Sequence, residues 1–416
     1  MNPIGIVAEF NPFHIGHEYL LKQVKELYPA SPIIICMSGN FMQRGEPAIT
    51  NKWLRAEMAI KCGADIVFEL PTVFASSSAD LFAAGSVRLL DSIGLISNIV
   101  CGAETANLAI LQELADIIDN DTFKNDFHQE INQGCSHANS FAHACAAAAA
   151  CININSTFQL YENVLRQPNN LLAIHYLKAI GTYSSAMQLY PIARMQSDIC
   201  ISAAKIRRLI VTAGDDSNLH EIAKFLPATA YKLLTSEQQN SKDLLIDDTA
   251  MWNILRHIII TSSPETIANI GDISEGLENR IITSFKKTTS LQEAIETIKT
   301  KRYTRTRIQR CLMQLLLGIT KKDLQEAYTS GPSYLRLLGA SETGRLLLHN
   351  IKKTCRIPLI TRSGKKYLEK HIELLKDPVF RRQLDLDIAA SDIYTNLFPH
   401  RSIAEHSDSH KKIQIG

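Results

Sequence analysis

No segment of this 416-residue chain approaches the ~20 consecutive apolar residues that span a bilayer, which argues against a helical membrane protein. The N-terminus also lacks the basic stretch, apolar core and cleavage site of an export signal, so a cytoplasmic location is expected. The nine cysteines are an odd number, and no two stand as C-x-x-C. That argues against a disulfide framework or a zinc site, and for a reducing compartment where most cysteines are small buried apolar residues. There is no repeat of fixed period and no low-complexity tail. Neither the GxxxxGK[ST] of a P-loop nor the GxGxxG of a dinucleotide fold occurs.

What is present is a globular composition, 45% hydrophobic and 21% charged, in a chain too long for one ordinary core. Two domains are therefore expected. The net charge of +2 is unevenly placed. Residues 1–210 hold 14 Lys and Arg against 18 Asp and Glu, and residues 211–416 hold 30 against 24. A mildly acidic first half and a basic second half suggest separate jobs.

The first half alternates. "IGIVAEF", "PIIICMS", "DIVFEL" and "NIVCG" read as strands, separated by helical segments over 16–28, through "NKWLRAEMAIKCG", and over 78–93. Helices are expected through 106–180, including the alanine-rich "ACAAAAAC", then a strand near "LYPIAR" and a helix from about Ser202. Short continuous apolar strands between helices indicate an α/β domain with a parallel sheet covered on both faces. After about residue 215 apolar residues recur at helical spacing in "LHEIAKFL", "MWNILRHIII", "LQEAIETI" and "IQRCLMQLLLGI", with no convincing strand. The reading is an α/β domain over 1–215 and a mostly helical, basic domain over 216–416, linked near "DDSN".

The first strand runs directly into "FNPFHIGH". The end of the first parallel strand is where α/β sheets bind ligands, and a helix start there offers free N–H groups and a positive dipole end to phosphate. Gly16 lets a ligand approach the backbone. His14 and His17, three apart, share one side of a helix and can donate to phosphate oxygens as charge builds on phosphorus.

This segment resembles the HxGH signature of the nucleotidyltransferase superfamily, whose members transfer adenylate from ATP and release pyrophosphate. "ISAAKIR" is similar to the superfamily's ISSTxxR segment, which binds the β- and γ-phosphates. Ser202 and Arg207 match, whereas Ala204 stands where a hydroxyl is usual. The resemblance extends further. "GIVAEFNPFHIGH", "MSGNFMQRGEPAITNKWLRAEMA", "DIVFELP" and "KRYTRTRIQR", in that order, resemble the bacterial tRNA-Met cytidine acetate ligases. The resemblance implies a Rossmann-like nucleotidyltransferase domain followed by a helical one. It also implies an enzyme that makes acetyl-adenylate from acetate and ATP, then acetylates N4 of the wobble cytidine of elongator tRNA-Met without acetyl-CoA.

Carried over by position, the implied ATP site comprises Val7, Ala8, Glu9, Phe10, Asn11, Pro12, Phe13, His14, Ile15, Gly16 and His17, with Gly102, Asn169 and Arg194. His14 and His17 would be the catalytic pair. Taken singly, Gly102 reads as a turn glycine, Asn169 as a helix cap and Arg194 as a surface arginine. With ATP in view, Gly102 leaves room for adenine or ribose, Asn169 offers donor and acceptor, and Arg194 a fork for phosphate or carboxylate. Ser38, Asn40, Gln43 and Arg44 follow the second strand and are candidates to hold acetate or the cytidine; Arg44 could equally pair with Glu46 or Glu57. Lys52 and Arg55 read as solvated or RNA-facing. No general base is evident, and acetate, already ionised, needs none for adenylation. Magnesium would accompany the ATP phosphates rather than occupy a protein-built metal site.

In the basic half, Arg302, Arg305, Arg307 and Arg310, with Lys299 and Lys301, crowd "KTKRYTRTRIQR". They suit tRNA phosphates, and Tyr303 among them suits stacking on a base. Lys352, Lys353 and Arg356, and Lys365 with Lys366, add to the charge. A charge run by itself is usually a solvated face. The alternatives are a small-metabolite adenylyltransferase, which has no use for a basic helical half, and an RNA-binding protein on a degenerate fold, which has no use for an intact HxGH.

Overall fold

The computed structural model describes residues 2–118, 121–132, 140, 143–145, 148, 158–183, 186–195, 202–213, 219–241, 246, 248–361, 372–398, 402–403, 408 and 413–415. Five strands come from the first half: β1 (Ile4–Ala8), β2 (Ile33–Ser38), β3 (Ile66–Leu70), β4 (Asn98–Ala103) and β5 (Gln188–Ala193). They are parallel, in the order β5-β4-β1-β2-β3. β2 and β3 are buried at every position, as continuous apolar runs between two helical layers require. Helix α1 (Ile15–Leu27) follows β1 and helix α2 (Lys52–Lys61) lies between β2 and β3. Further helices span Ala79–Ser92, Pro168–Tyr183 and Ala203–Ala213. Most of "ACAAAAAC", the "DDSN" segment and Lys365–Lys366 lie outside the described residues.

The second half is mostly helical, through Asp248–Thr261, Leu277–Lys287, Leu291–Ile298, Arg305–Leu317, Lys321–Ser330, Glu342–Thr354 and Pro378–Asn396. Leu291–Ile298 shows why. Ser290 caps its start and Leu291, Ala294, Ile295 and Ile298 are buried, one face of a 3.6-residue period.

The expectation of no strand beyond residue 215 is corrected. β6 (Leu335–Ala340) pairs antiparallel with β3, and β7 (Leu359–Ile360) and β8 (Gln414–Ile415) pair with the outer edge of β6. Among the described residues the sheet is therefore mixed, with eight strands. "LRLLGA" carries no alternation, because both faces of β6 are buried, and a leucine-rich run suits a helix as well as a strand. Two-residue strands such as β7 and β8 leave no periodicity to read. The largest apolar cluster likewise draws on both halves, from Ile34 and Phe68 to Leu312 and Tyr394. Among the described residues no helix is long and apolar enough to cross a membrane.

Candidate active site

β1 ends at Ala8, and Glu9 to His14 form the turn that enters α1. His14 is the N-cap of α1, with extended backbone. Its Nδ1 accepts from Gly16 N at 3.0 Å, and His17 Nδ1 accepts from His14 N at 3.2 Å. These backbone donors place the ring proton of each neutral imidazole on Nε2. The rings stack with centroids 3.7 Å apart, and Phe10 and Phe13 pack against His17. Burial, then the nearby Arg194 guanidinium, lowers the His14 pKa to about 4. Burial, then His14 and Arg194, lowers that of His17 as well. Both histidines are thus neutral Nε2–H donors at the start of a helix.

Gly102, Asn169 and Arg194, far apart in sequence, come together beside this turn. Arg194 directly follows β5, and its N donates to Ala103 O at 3.1 Å. A Cβ on Gly102 would lie 3.7 Å from Arg194 Cγ, so the arginine stem runs over the glycine. Glu104, one residue past β4, accepts from Asn169 Nδ2 at 2.5 Å, Asn170 N at 3.0 Å and Arg194 Nη1 at 3.2 Å. Motif reasoning misses Glu104. The signal that could find it is its place in "VCGAE", directly after the strand end that holds Gly102.

Ser202 Oγ accepts from Lys205 N at 3.3 Å at the start of the helix Ala203–Ala213. Arg207 on that helix donates to Asn11 O at 2.9 Å and pairs with Glu46, tying the histidine turn to the segment after β2. Arg44 is exposed. Its two suggested partners are engaged elsewhere, Glu46 by Arg207 and Glu57 by Lys61. Gln43 N donates to Glu9 Oε1 at 2.7 Å, and Gln43 Nε2 to Ser77 O at 3.2 Å. Burial, first, pushes the Glu9 carboxyl up. Ser38 is buried, its Oγ without a partner among the described residues. Asn40, also buried, uses both ends of its amide, accepting from Lys52 N at 2.8 Å and donating to Ser391 Oγ at 3.4 Å.

Two expectations are corrected outright. Lys52 and Arg55 are fully buried, not solvated or RNA-facing. Arg55 donates to Glu9 O at 2.6 Å, Ser38 O at 3.1 Å and Thr50 O at 3.0 Å, and to Gly39 O, holding the ends of β1 and β2 together. Lys52 belongs to a buried charge cluster with Glu69, Arg336 and Asp408. Tyr303, suggested for base stacking, is 5% exposed, and its hydroxyl donates to Glu275 O at 3.1 Å.

The basic cluster at the start of Arg305–Leu317 lies against the segment after β2. A Cβ on Gly45 would stand 2.2 Å from Arg310 N. Arg310 Nε meets Asp272 Oδ2 at 2.6 Å and Arg302 meets Glu275 at 2.8 Å. Arg305 pairs with Glu296, while Arg307 donates to Ser274 Oγ at 2.9 Å and lies over the Tyr303 ring. Arg302 and Arg305 each remain about 40% exposed.

Five parallel strands with a stacked HxGH pair at the first strand–helix turn define a nucleotidyltransferase fold, and the family described as HIGH Nucleotidyl Transferase matches residues 1–410. Among curated relatives, a tRNA(Met) cytidine acetate ligase of Clostridium perfringens is 36% identical over 419 residues, covering 98% of each chain. One of Acetivibrio thermocellus is 36% identical over 406 residues, covering 95% of this chain and 94% of its own. The crystal structure of Thermotoga maritima TmcAL bound with alpha-thio ATP superposes with a TM-score of 0.91 at 30% identity, covering 100% of this chain and 99% of the other. The chain belongs to the tRNA(Met) cytidine acetate ligase family of HIGH nucleotidyltransferases.

Proposed function

We propose that the protein activates acetate with ATP and acetylates N4 of the wobble cytidine of elongator tRNA-Met. The observation that carries the reading is the junction at Gly45. There the segment after β2, which is tied to the histidine turn through Glu9 and Arg207, meets the basic helix Arg305–Leu317. One rim thus offers a nucleotide site, a place for a small acyl group and a basic surface for RNA, which a small-metabolite adenylyltransferase would not need.

In the first step a carboxylate oxygen of acetate attacks the α-phosphorus and the bond to pyrophosphate breaks. The Nε2–H groups of His14 and His17 stabilise charge growing on the phosphoryl oxygens, and Arg194 adds a fixed positive fork. Gly102 and Asn169 hold the nucleoside end. Ser202 and Arg207 at the second helix start serve the outer phosphates. Magnesium would neutralise the triphosphate. In the second step N4 of cytidine attacks the acetyl carbonyl, AMP leaves, and N4 gives up a proton. Ser38, Asn40, Gln43 and Arg44 line or brace the acetate and cytidine side. Arg302, Arg305, Arg307 and Arg310 contact tRNA phosphates, so the catalytic work falls to residues 1–215 and RNA binding to 216–416.

Labelled acetate with ATP should put label into tRNA, and labelled acetyl-CoA should not. Label entering only from acetyl-CoA would overturn the mechanism. Pyrophosphate exchange with small metabolites but not acetate would favour the adenylyltransferase reading instead.

A further inference from the structure

We propose that Glu104 is a positioning residue that sets the nucleotide preference of the site by fixing which end of the Asn169 amide faces the ligand. The inference rests on the ATP site proposed above and goes beyond it.

A carboxylate only accepts hydrogen bonds. With Asn169 Nδ2 held 2.5 Å from Glu104 Oε1, the amide nitrogen must point to Glu104 and the carbonyl Oδ1 must point away from it. The orientation is backed on both sides. Glu104 Oε2 accepts from Asn170 N at 3.0 Å in the first turn of the helix Pro168–Tyr183, where a negative group is favoured. Asn170 is fully buried, and its Oδ1 accepts from Thr105 N at 2.9 Å, locking that helix start to the chain just past β4. Asn169 therefore presents an acceptor, and the group it reads on the nucleotide is a donor. The adenine amine and the 2′- and 3′-hydroxyls of the ribose are the donors that the nucleoside of ATP offers.

The same carboxylate holds Arg194 Nη1 at 3.2 Å. Arg194 is also near enough to His14 and His17 to lower both imidazole pKa values. Glu104 thus links the residue that reads the nucleoside to the arginine beside the histidine pair. Asn169 Nδ2 and Asn170 N are served by different oxygens of Glu104, so in the same pose a glutamine would turn its terminal NH2 toward one of them and lose that contact.

The test uses the full-length protein and measures binding of ATP, purine riboside triphosphate, 2′-deoxy-ATP and 3′-deoxy-ATP, with pyrophosphate exchange alongside. For the wild type, a drop of about tenfold in affinity is expected for whichever analogue lacks the donor read by Asn169. A drop with the purine riboside identifies the amine, and a drop with a deoxy analogue identifies that hydroxyl. In Glu104→Gln, ATP affinity should fall about tenfold, discrimination between analogues should shrink, and the KM for ATP should rise far more than kcat falls. Glu104→Asp should restore part of the discrimination. Wild-type affinity and discrimination in Glu104→Gln would overturn the proposal, as would a wild type that binds all four nucleotides equally. That second result needs no variant and so does not depend on the fold of one. A wild type that binds no ATP would instead overturn the proposed function itself.

Discussion

Lys52 Nζ and Asp408 Oδ2 lie 2.7 Å apart although 356 residues separate them. Both side chains are 1% exposed, so the pair is locked away from water. Asp408 Oδ2 also meets Arg336 Nη2 at 2.8 Å and accepts from Ser391 Oγ at 2.7 Å, and Oδ1 accepts from Trp53 Nε1 at 3.1 Å. Glu69 completes two positive and two negative charges. One residue near the C-terminus thus joins α2, β6 and the Pro378–Asn396 helix.

Replacing Asp408 by alanine would take away one of the two carboxylates that Lys52 and Arg336 share, and removing one partner from a buried ion pair costs about 3–5 kcal/mol. A large drop in Tm is expected in thermal denaturation, with Asp408→Asn intermediate. Burial alone would raise the Asp408 pKa, but Arg336 and Lys52 outweigh it and hold the carboxyl below its ordinary range. The stabilisation from this group is therefore present above the unfolded carboxyl value of about 4 and is lost as pH falls below it. A Tm that ignores the substitution, or Asp408→Ala with no altered acid dependence, would contradict this account.

The histidine pair carries a different pH signature. His14 is lowered to about 4 and His17 is lowered too, so neither gains a proton in the folded protein near pH 6.5. Pyrophosphate exchange should show no histidine titration between pH 6 and 7. The sign for stability follows from linkage: below about 6.5 the unfolded chain binds protons on these rings and the folded chain does not, so stability falls with pH there. In His14→Ala/His17→Ala that slope should weaken, and exchange should fall by at least about a hundredfold while the circular dichroism spectrum is retained. Wild-type exchange in the double variant would remove the pair from catalysis.

Gly45 has φ +76°, and a side chain there would strike the backbone of Arg310. Gly45→Ala should destabilise by about 2 kcal/mol or more, from left-handed strain and steric displacement together. Because the clash would part the basic helix from the segment after β2, acetyl transfer to tRNA should fall more than tRNA-independent exchange. Equal declines in the two assays would show that the junction does not couple the two steps.

Arg302, Arg305 and Arg307 test the RNA surface. The ion pairs of Arg302 and Arg305 are partly exposed, so single alanine substitutions should cost stability no more than about 1 kcal/mol each. The triple alanine variant should bind tRNA more weakly and with a flatter salt dependence. The log–log slope should shrink by roughly 0.7–0.9 for each phosphate that is no longer neutralised. Unchanged affinity would remove this cluster from the tRNA-binding surface.

The histidine turn is legible in the sequence because it is local: four residues carry the chemistry, and the helix start that orients them begins at the first histidine. The five parallel strands are legible too, as short apolar runs between helical periods. Burial of charge is not. Lys52 and Arg55 sit on a helix whose polar residues look solvent-facing, but Asp408 and the charge cluster it shares with Arg336 of β6 enclose Lys52, and the ends of β1 and β2 take up Arg55. Periodicity reports which face of a helix is apolar, and says nothing of a distant chain segment that covers the other face.

By itself, the sequence determined the fold class, the family and the position of the histidine turn, since these follow from short-range pattern and motif order. Only the tertiary structure decided that the second half completes the sheet through β6. It also decided that Glu104 gathers Asn169 and Arg194, and that the basic helix meets the segment after β2 at Gly45. Each of these joins residues distant in the chain, where hydrogen-bond partners and close backbone approach depend on how whole elements pack, and no local propensity records that packing.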